Sequence, residues 1–510
     1  MMYRKFLSLL AGGLLAFTVS APQAAQLDDN LGAKFEALQQ QMLALKAQMD
    51  QVNAQMQQKS EQPAQAVAEV PAVRMKPGSA LTFQVGGGEI TLYGHGDLSF
   101  DYVDNGLGDR PGAQGKNGWM PQVSSNNSLF GIRGERPVTD NLKALIQLEA
   151  DIQFAATPGN NCCTNGGVSN DSSVKGAIGS RNSFLGMQGN WGAIKLGKTD
   201  APYKNSTQRM DPFVNTLGDY RSIMGNSGGD NRVEFATRVP HAIWYESPTV
   251  KGFSGAVLFS PGQNRSTDNS ITARGEPNCT GGNLPGSNGC QDGSFGNLWS
   301  TSLAYSNGPL YLTAAYERHA NVNRIGDELG ASDGVNPPAG SVGVANESAF
   351  KAGIQYVFAK TGTTASFIWE RLKRSAPDNT FNERTRNNAY YTSLTQRITP
   401  ADEIIAAWAH AGRTPGDPGG VVNQPGVPLT QVAGPIANQA NMYALGYRHH
   451  FGDHRTTWYL VGAIMKNQQG AHYDLGAGGH GAVVDCKDAT GTCFSGTTIK
   501  AVSTGMTYDF

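Results

Sequence analysis

The run Glu89–Val103, EITLYGHGDLSFDYV, decides how the rest of this chain is read. Ile90, Leu92, Gly94, Gly96, Leu98, Phe100 and Tyr102 fall on one face of an extended strand. Thr91, Tyr93, His95, Asp97, Ser99 and Asp101 fall on the other. A period of two marks a strand with unlike faces. Strands of soluble sandwiches average about five or six residues, whereas a tilted strand that crosses a bilayer needs about ten. Leu142–Phe154, LKALIQLEADIQF, repeats the pattern at the longer length. Its apolar face (Leu142, Ala144, Ile146, Leu148, Ala150, Ile152, Phe154) backs onto Lys143, Gln147, Glu149, Asp151 and Gln153.

The connections alternate as well. Short turns fall near 138–141, 190–192, 247–252, 307–309, 359–362, 399–401 and 452–454. Long polar loops fall near 104–126, 155–179, 200–230, 261–296, 321–346, 375–386, 414–438 and 468–496. Seven turns and eight loops join sixteen strands. Short turns at one end and long loops at the other predict an all-β fold, a 16-stranded antiparallel transmembrane β-barrel. A barrel of that width is not filled by its own side chains and encloses water. In the closing AVSTGMTYDF, Val502, Thr504, Met506, Tyr508 and Phe510 share one face, so the last strand can pair with the first and leave no edge in lipid.

The N-terminal part reads differently. Residues 1–25 carry Arg4 and Lys5 ahead of an apolar run too short to span a bilayer, the pattern of a cleaved secretory signal with a cut near Ala24 or Ala25. In residues 26–58, Leu31, Phe35, Leu38, Met42, Leu45, Met49, Val52 and Met56 recur in steps of three and four, the seam of a coiled-coil helix. Residues 59–80 are rich in Pro and Ala and read as a linker; the barrel takes 81–510. The six cysteines suit an oxidising compartment. Cys279 with Cys290 and Cys486 with Cys493 are candidate loop disulfides, while the partners of the adjacent Cys162 and Cys163 stay open.

The chemistry the sequence offers is sparse. With 40 basic and 41 acidic residues there is no basic excess for nucleic acid. A negative mean hydropathy excludes a helical membrane bundle but not a barrel. Ser227 sits in GNSGG, a chance match to a nucleophile motif that needs a strand–turn–helix elbow, and His95 reads as an ordinary lumen side chain. No metal site, cofactor fingerprint or catalytic residue is expected.

EITLYGHGDLSF, SSNNSLFGIRGE (124–135), SRNSFLGMQGNWGAIKLGKTDAPY (180–203), NRVEFATRVPHAIWYESPTVKGFSGAVL (231–258) and Phe510, in that order, resemble the trimeric general porins of Gram-negative outer membranes. The resemblance covers residues 89–510. It implies a third long loop folded into the barrel, with acids on the loop opposite arginines on the wall. Arg181 and Arg238 match the wall arginines, and Asp211 and Asp219 are the best loop acids; strand parity puts Arg133 on the lumen side too. Leu129 stands where the family usually has an arginine, which weakens the cationic side of that pore constriction.

The heptad resembles the coiled-coil extension of dicarboxylate-type trimeric porins, and implies a periplasmic clip for a homotrimer; a spacer against peptidoglycan is the other reading. The function expected is a water-filled outer-membrane channel for passive diffusion of small hydrophilic solutes and ions. A channel selective for organic acids comes second. An enzyme or adhesin anchored by the barrel in the outer-membrane lipid comes last, an adhesin drawing on loops 261–296 and 468–496.

Overall fold

The computed structural model describes residues 40, 43–44, 46–51, 74–75, 81–106, 118–155, 178–226, 235–261, 295–323, 344–375, 386–413, 421–422, 430–431, 437–453, 455–468, 471, 473–480 and 496–510. The six cysteines, Ser227, the signal segment and every seam residue but Met49 lie outside them. The chain forms two units, residues 1–70 and 71–510. In the first, the described residues 40, 43–44 and 46–51 are helical, and Met49 is 62% exposed in the single chain.

The second unit is a closed antiparallel barrel. Its strands are β1 Gly88–Asp104, β2 Trp119–Ser125 continued by Leu129–Thr139, β3 Leu142–Asp151, β4 Ser183–Gly189, β5 Gly192–Asp200 and β6 Arg238–Glu246. Then come β7 Phe253–Ser260, β8 Asn297–Asn307, β9 Leu310–Asn323, β10 Val344–Phe358 and β11 Thr363–Arg374. The last are β12 Arg386–Arg397, β13 Asp402–Ala411, β14 Ala440–His450, β15 Thr456–Asn467 and β16 Thr498–Asp509. Each pairs with the next, and β16 returns to β1 from Lys500↔Asp104 to Asp509↔His95, so the sixteen strands read from the sequence are found and no edge is left open. All seven short turns close hairpins at one end. Between β6 and β7, Lys251 (φ 50°) and Gly252 (φ 87°) form the two-residue turn whose positive angles match strand twist.

Alternation sorts the side chains as anticipated on β1, where Leu98, Phe100 and Tyr102 are exposed outward while Asp97, Ser99 and Asp101 are buried inward. Strand β2 breaks at Asn126–Ser128: three residues there span the two of Gly96–Asp97 on β1, between Leu98↔Ser125 and His95↔Leu129. Asn127 takes φ 52°, a left-handed angle asparagine tolerates, and the extra residue is a bulge that turns side chains into the lumen.

The sheet begins earlier than the linker reading allows. Arg74–Met75 pairs with Phe83–Gln84, and Thr82–Val85 pairs with the first residues of β1. Along β1, Leu92 N donates to Leu81 O (3.0 Å) and Gly94 N to Phe510 O (3.1 Å), so the N-terminal pair continues the lane in which Phe510 ends. Gly94 is needed there, because a Cβ would lie 2.2 Å from the Phe510 ring.

One interior wall departs from a polar lining. The inward faces of β13–β16 carry Ile405, Ala409, Met442, Val461, Met465 and Ile499, all buried in one apolar cluster with residues of the third and eighth long loops.

Candidate functional site

The third long loop follows β5 and lies inside the barrel. Pro202, whose fixed φ suits a first helical turn, opens the short helix α1 Pro202–Gln208. Inward side chains of the wall then hold the loop. Tyr203 N donates to Ser300 Oγ (3.0 Å) on β8 and Tyr203 OH to Glu370 (2.7 Å) on β11. Lys351 on β10 donates to Thr207 (2.8 Å) and lies over the Tyr203 ring. Tyr311 OH on β9 donates to Ser206 O (2.8 Å), and Ser393 Oγ on β12 to Met210 O (3.1 Å). Farther along, Phe213, Leu217, Tyr220, Ile223 and Met224 seat on the apolar wall of β13–β16, and Phe235 stacks on His319 of β9 (4.5 Å). Burying these side chains contributes about 1.5–3 kcal/mol each.

The two acids that the resemblance assigns to this loop do not face the water. Asp211 is 5% exposed and accepts from Phe213 N (2.9 Å), Tyr220 N (3.1 Å) and Tyr391 OH (2.8 Å). Asp219 is fully buried and accepts from Asn215 N (3.0 Å), Arg221 N (2.9 Å) and the Arg221 guanidinium. Both carboxylates fold the loop; neither reaches the open lumen. Burial, with the Asp219 charge beside it, pushes Asp211 up to about 7. Burial also opposes ionisation of Asp219, but the Arg221 guanidinium outweighs it and holds that carboxyl below the ordinary range.

A further set of charges forms a ladder on β1–β6, α1 and the loop just after it. Glu149 accepts from Tyr93 OH (2.8 Å), Gln147 (2.9 Å) and Asn182 N (3.1 Å). Arg181 reaches Asp151 at 3.5 Å. Asp200 is shared by Lys204 of α1 (2.9 Å) and Arg238 of β6 (3.3 Å). Arg133 stands over the Tyr93 ring (5.3 Å), and Arg209 stands over Tyr311 (4.3 Å) while donating to Gln355. Among the described residues, neither Arg133 nor Arg209 has a carboxylate partner, and both are exposed. In this set five cations stand beside the three carboxylates Glu149, Asp151 and Asp200, while Lys143 with Glu135 and Lys195 with Glu246 form ion pairs of their own.

The eighth loop also turns inward, which its sequence did not announce. Tyr473 and Leu475 join the apolar cluster. His480 Nδ1 bonds Asp101 (2.8 Å), whose carboxylate also accepts from Ser503 (2.6 Å), and His480 Nε2 reaches Asn215 O (3.2 Å) on the third loop. Asn127, at the bulge of β2, donates to Asn215 (2.9 Å) and Gly478 O (3.3 Å) and so ties both loops to the wall at β2.

A closed sixteen-strand barrel narrowed by inward loops is an architecture with known relatives. The family model for Gram-negative porins matches residues 63–471. The chain belongs to that family. The porin is 29% identical over 221 residues to the major outer membrane protein P.IA of Neisseria meningitidis serogroup B, a match over 41% of this chain and 47% of that protein. It is 22% identical over 358 residues to an outer membrane porin of Bordetella pertussis, over 67% and 77% of the two chains. The chain spans about half the length of the neisserial relatives it matches. The anion-selective porin from Comamonas acidovorans has the same fold, with a TM-score of 0.53 at 18% identity over 83% of this chain and all of that one. Such membership places the barrel in the outer membrane.

Among the residues read from sequence, Arg181 and Arg238 stand together on the ladder, and Arg133 joins it through Tyr93. Leu129 leaves its site on β2 without charge, and the third loop brings two cations of its own into the barrel, Lys204 and Arg209. The site residues that sequence reasoning passed over are Glu149, Asp151 and Asp200 on the wall. Their inward parity was visible, but parity alone does not say which inward acid meets which arginine. His95 bonds Asp509 (2.7 Å) at the turn end of the barrel, a pair joining the first and last strands.

Proposed function

We propose that this porin forms a water-filled channel through which small hydrophilic solutes and ions diffuse passively, and that its narrowest part prefers anions. The observation that carries the preference is the disposition of charge. The loop acids are sealed in hydrogen bonds, while Arg133, Arg181, Lys204, Arg209 and Arg238 outnumber Glu149, Asp151 and Asp200, the carboxylates that share their part of the wall. In a confined passage with low-dielectric walls, the sign of the excess sets the sign of the preferred ion. A further reading, a channel for small organic acids, is favoured by Arg133 and Arg209, two exposed guanidinium groups with no carboxylate of their own among the described residues. We assign no enzymatic role; among the described residues none recommends a barrel-anchored enzyme or adhesin.

Planar-bilayer recording under a KCl gradient tests the proposal. The expected reversal potential has the sign of anion preference, and Arg209→Glu moves it toward the cation side. Well-folded protein that conducts nothing would remove the channel, and a cation-signed potential would remove the charge assignment. Block by a dicarboxylate but not by a neutral sugar would single out the organic-acid reading.

A further inference from the structure

The outer surface of the barrel carries one cluster of charge that conduction does not use. Trp299, Arg318, Ser348 and Lys373 stand in one row across β8, β9, β10 and β11. The next row toward the turns holds Thr301, Tyr316, Phe350 and Arg371. Their neighbours Glu317, Glu370 and Leu372 are fully buried on the inner face, and Arg318, Arg371 and Lys373 are exposed on the outer one. The position is close to the long-loop ends of β9 and β11, the end that faces the exterior. Among the described residues none of the three cations has an ion pair or hydrogen bond, because the acids of these strands all point inward.

The setting is interfacial. Trp299 (48% exposed), Tyr316 (40%) and Phe350 (39%) lie in the same two rows as the cations. Below them Trp369 packs edge-on against Phe350 (5.6 Å), and Phe367 stacks on Tyr390 (6.2 Å). Aromatic side chains of this kind mark the headgroup level of a membrane barrel, where a cation on the lipid face costs little; at the midplane it costs far more. Neighbouring strands are about 4.8 Å apart, so Arg318 and Lys373 are separated by about 10 Å, with Arg371 one row below. The other exposed cations at this height differ. Lys500 stands in register with Asp104, and Lys466 lies over Tyr443.

We propose that Arg318, Arg371 and Lys373 form a docking site for the phosphorylated sugar headgroup of an outer-leaflet glycolipid, whose acyl chains run down the apolar face beneath. A planar guanidinium binds phosphate oxygens in pairs, and two of them flanked by an ammonium suit a headgroup with more than one phosphate. The aromatic rows supply the apolar floor against which sugar and upper chains pack. The site stands on the outer wall and is independent of the channel's ion preference.

The test is a titration of the purified full-length protein in detergent with a bis-phosphorylated lipid A, its dephosphorylated counterpart and phosphatidylglycerol. Native protein should bind the bis-phosphorylated lipid at least tenfold more tightly than either of the others. Combined Arg318→Gln, Arg371→Gln and Lys373→Gln should abolish that margin, whereas Lys466→Gln with Lys500→Gln should keep it. Retention of the margin by the triple variant, or equal binding of phosphatidylglycerol, overturns the proposal. So does loss of subunit association in the triple variant with lipid binding unchanged, which would make the face a protein interface. Should the triple variant lack the heat-modifiable folded band, Arg371→Gln alone is the second variant, expected to lose part of the margin; an unchanged margin there also overturns the site.

Discussion

Asp211 and Asp219 sit eight residues apart on one loop, and the environment gives them opposite protonation behaviour. Asp219 is the anion of a buried pair, and Asp219→Asn leaves the Arg221 guanidinium facing a neutral amide. Breaking such a pair costs about 3–5 kcal/mol; Arg221 keeps some contact with water (16% exposed), so the lower end applies. The expected result is a loop that proteases cut in the folded barrel. Asp211 carries a raised pKa of about 7, so the docked loop keeps a proton that a released loop would give up. Docking is then strongest below about pH 4, the ordinary carboxyl range, weakens as pH rises toward 7 and is level above it. Hydrogen-exchange protection of residues 211–224 should follow that curve in the native protein and lie flat in Asp211→Asn. A native profile without slope would refute the assignment. Sequence offered acids in a loop and a family precedent for exposing them. The hint that they are turned inward is local: each side chain accepts from the backbone N–H two residues on, at Phe213 and Arg221, the turn geometry that aspartate favours.

At the scale of elements, the strands and their turns were legible because alternation and turn chemistry are both local. The seven turns anticipated between strands all close hairpins, since a two-residue period interrupted by Gly, Asn, Asp or Pro leaves few alternatives. The inward course of the eighth loop was not legible, because the cluster it completes is assembled from strands far apart in sequence. One signal was present in β13, EIIAAWAHA (403–411), which is apolar on both faces, as a strand covered on both sides must be. The seat of the third loop on that wall is tight. A Cβ on Gly446 would come 2.7 Å from the Phe213 ring. Overpacking costs about 1–3 kcal/mol, so Gly446→Leu should lift the loop from the wall and leave the strands paired. Single-channel records of that variant should show added open-state noise with an unchanged folded band on cold SDS gels. Quiet, native-like openings would mean that the loop is held by its polar anchors alone.

For the whole molecule, the ion preference and the assembly respond to different variables. The lumen charges act through water, where the screening length falls from about 10 Å at 0.1 M salt to about 3 Å at 1 M. The anion-signed reversal potential should therefore shrink as both baths are raised toward 1 M at a constant ratio. For assembly, by contrast, we propose a homotrimer held by contacts between barrels and reinforced by the heptad of residues 26–58. A short tether raises the local concentration of its partners without adding interface. Deleting residues 26–60 should lower the temperature at which trimers come apart in detergent and leave conductance per opening unchanged. Trimers that survive as before would make the heptad a spacer. The barrel was readable to the strand from the sequence, and the sign of its passage was not. Strand number follows from periodicity, but the charge a passing ion meets depends on which carboxylates the fold buries or pairs with a cation.

The apolar inner face of β13–β16 also limits what can be made of this barrel as a molecular sieve. Cutting the inward loops from a water-lined cylinder would yield a wider pipe. Cutting them here would strip the cover from Ile405, Met442, Val461 and Met465. An oily sector sheds water instead of filling with it. The enlarged bore would adsorb detergents and amphiphilic drugs along one side and clog where it was meant to open. A wider sieve from this scaffold needs that wall repainted with Ser, Thr and Asn before its loops are trimmed.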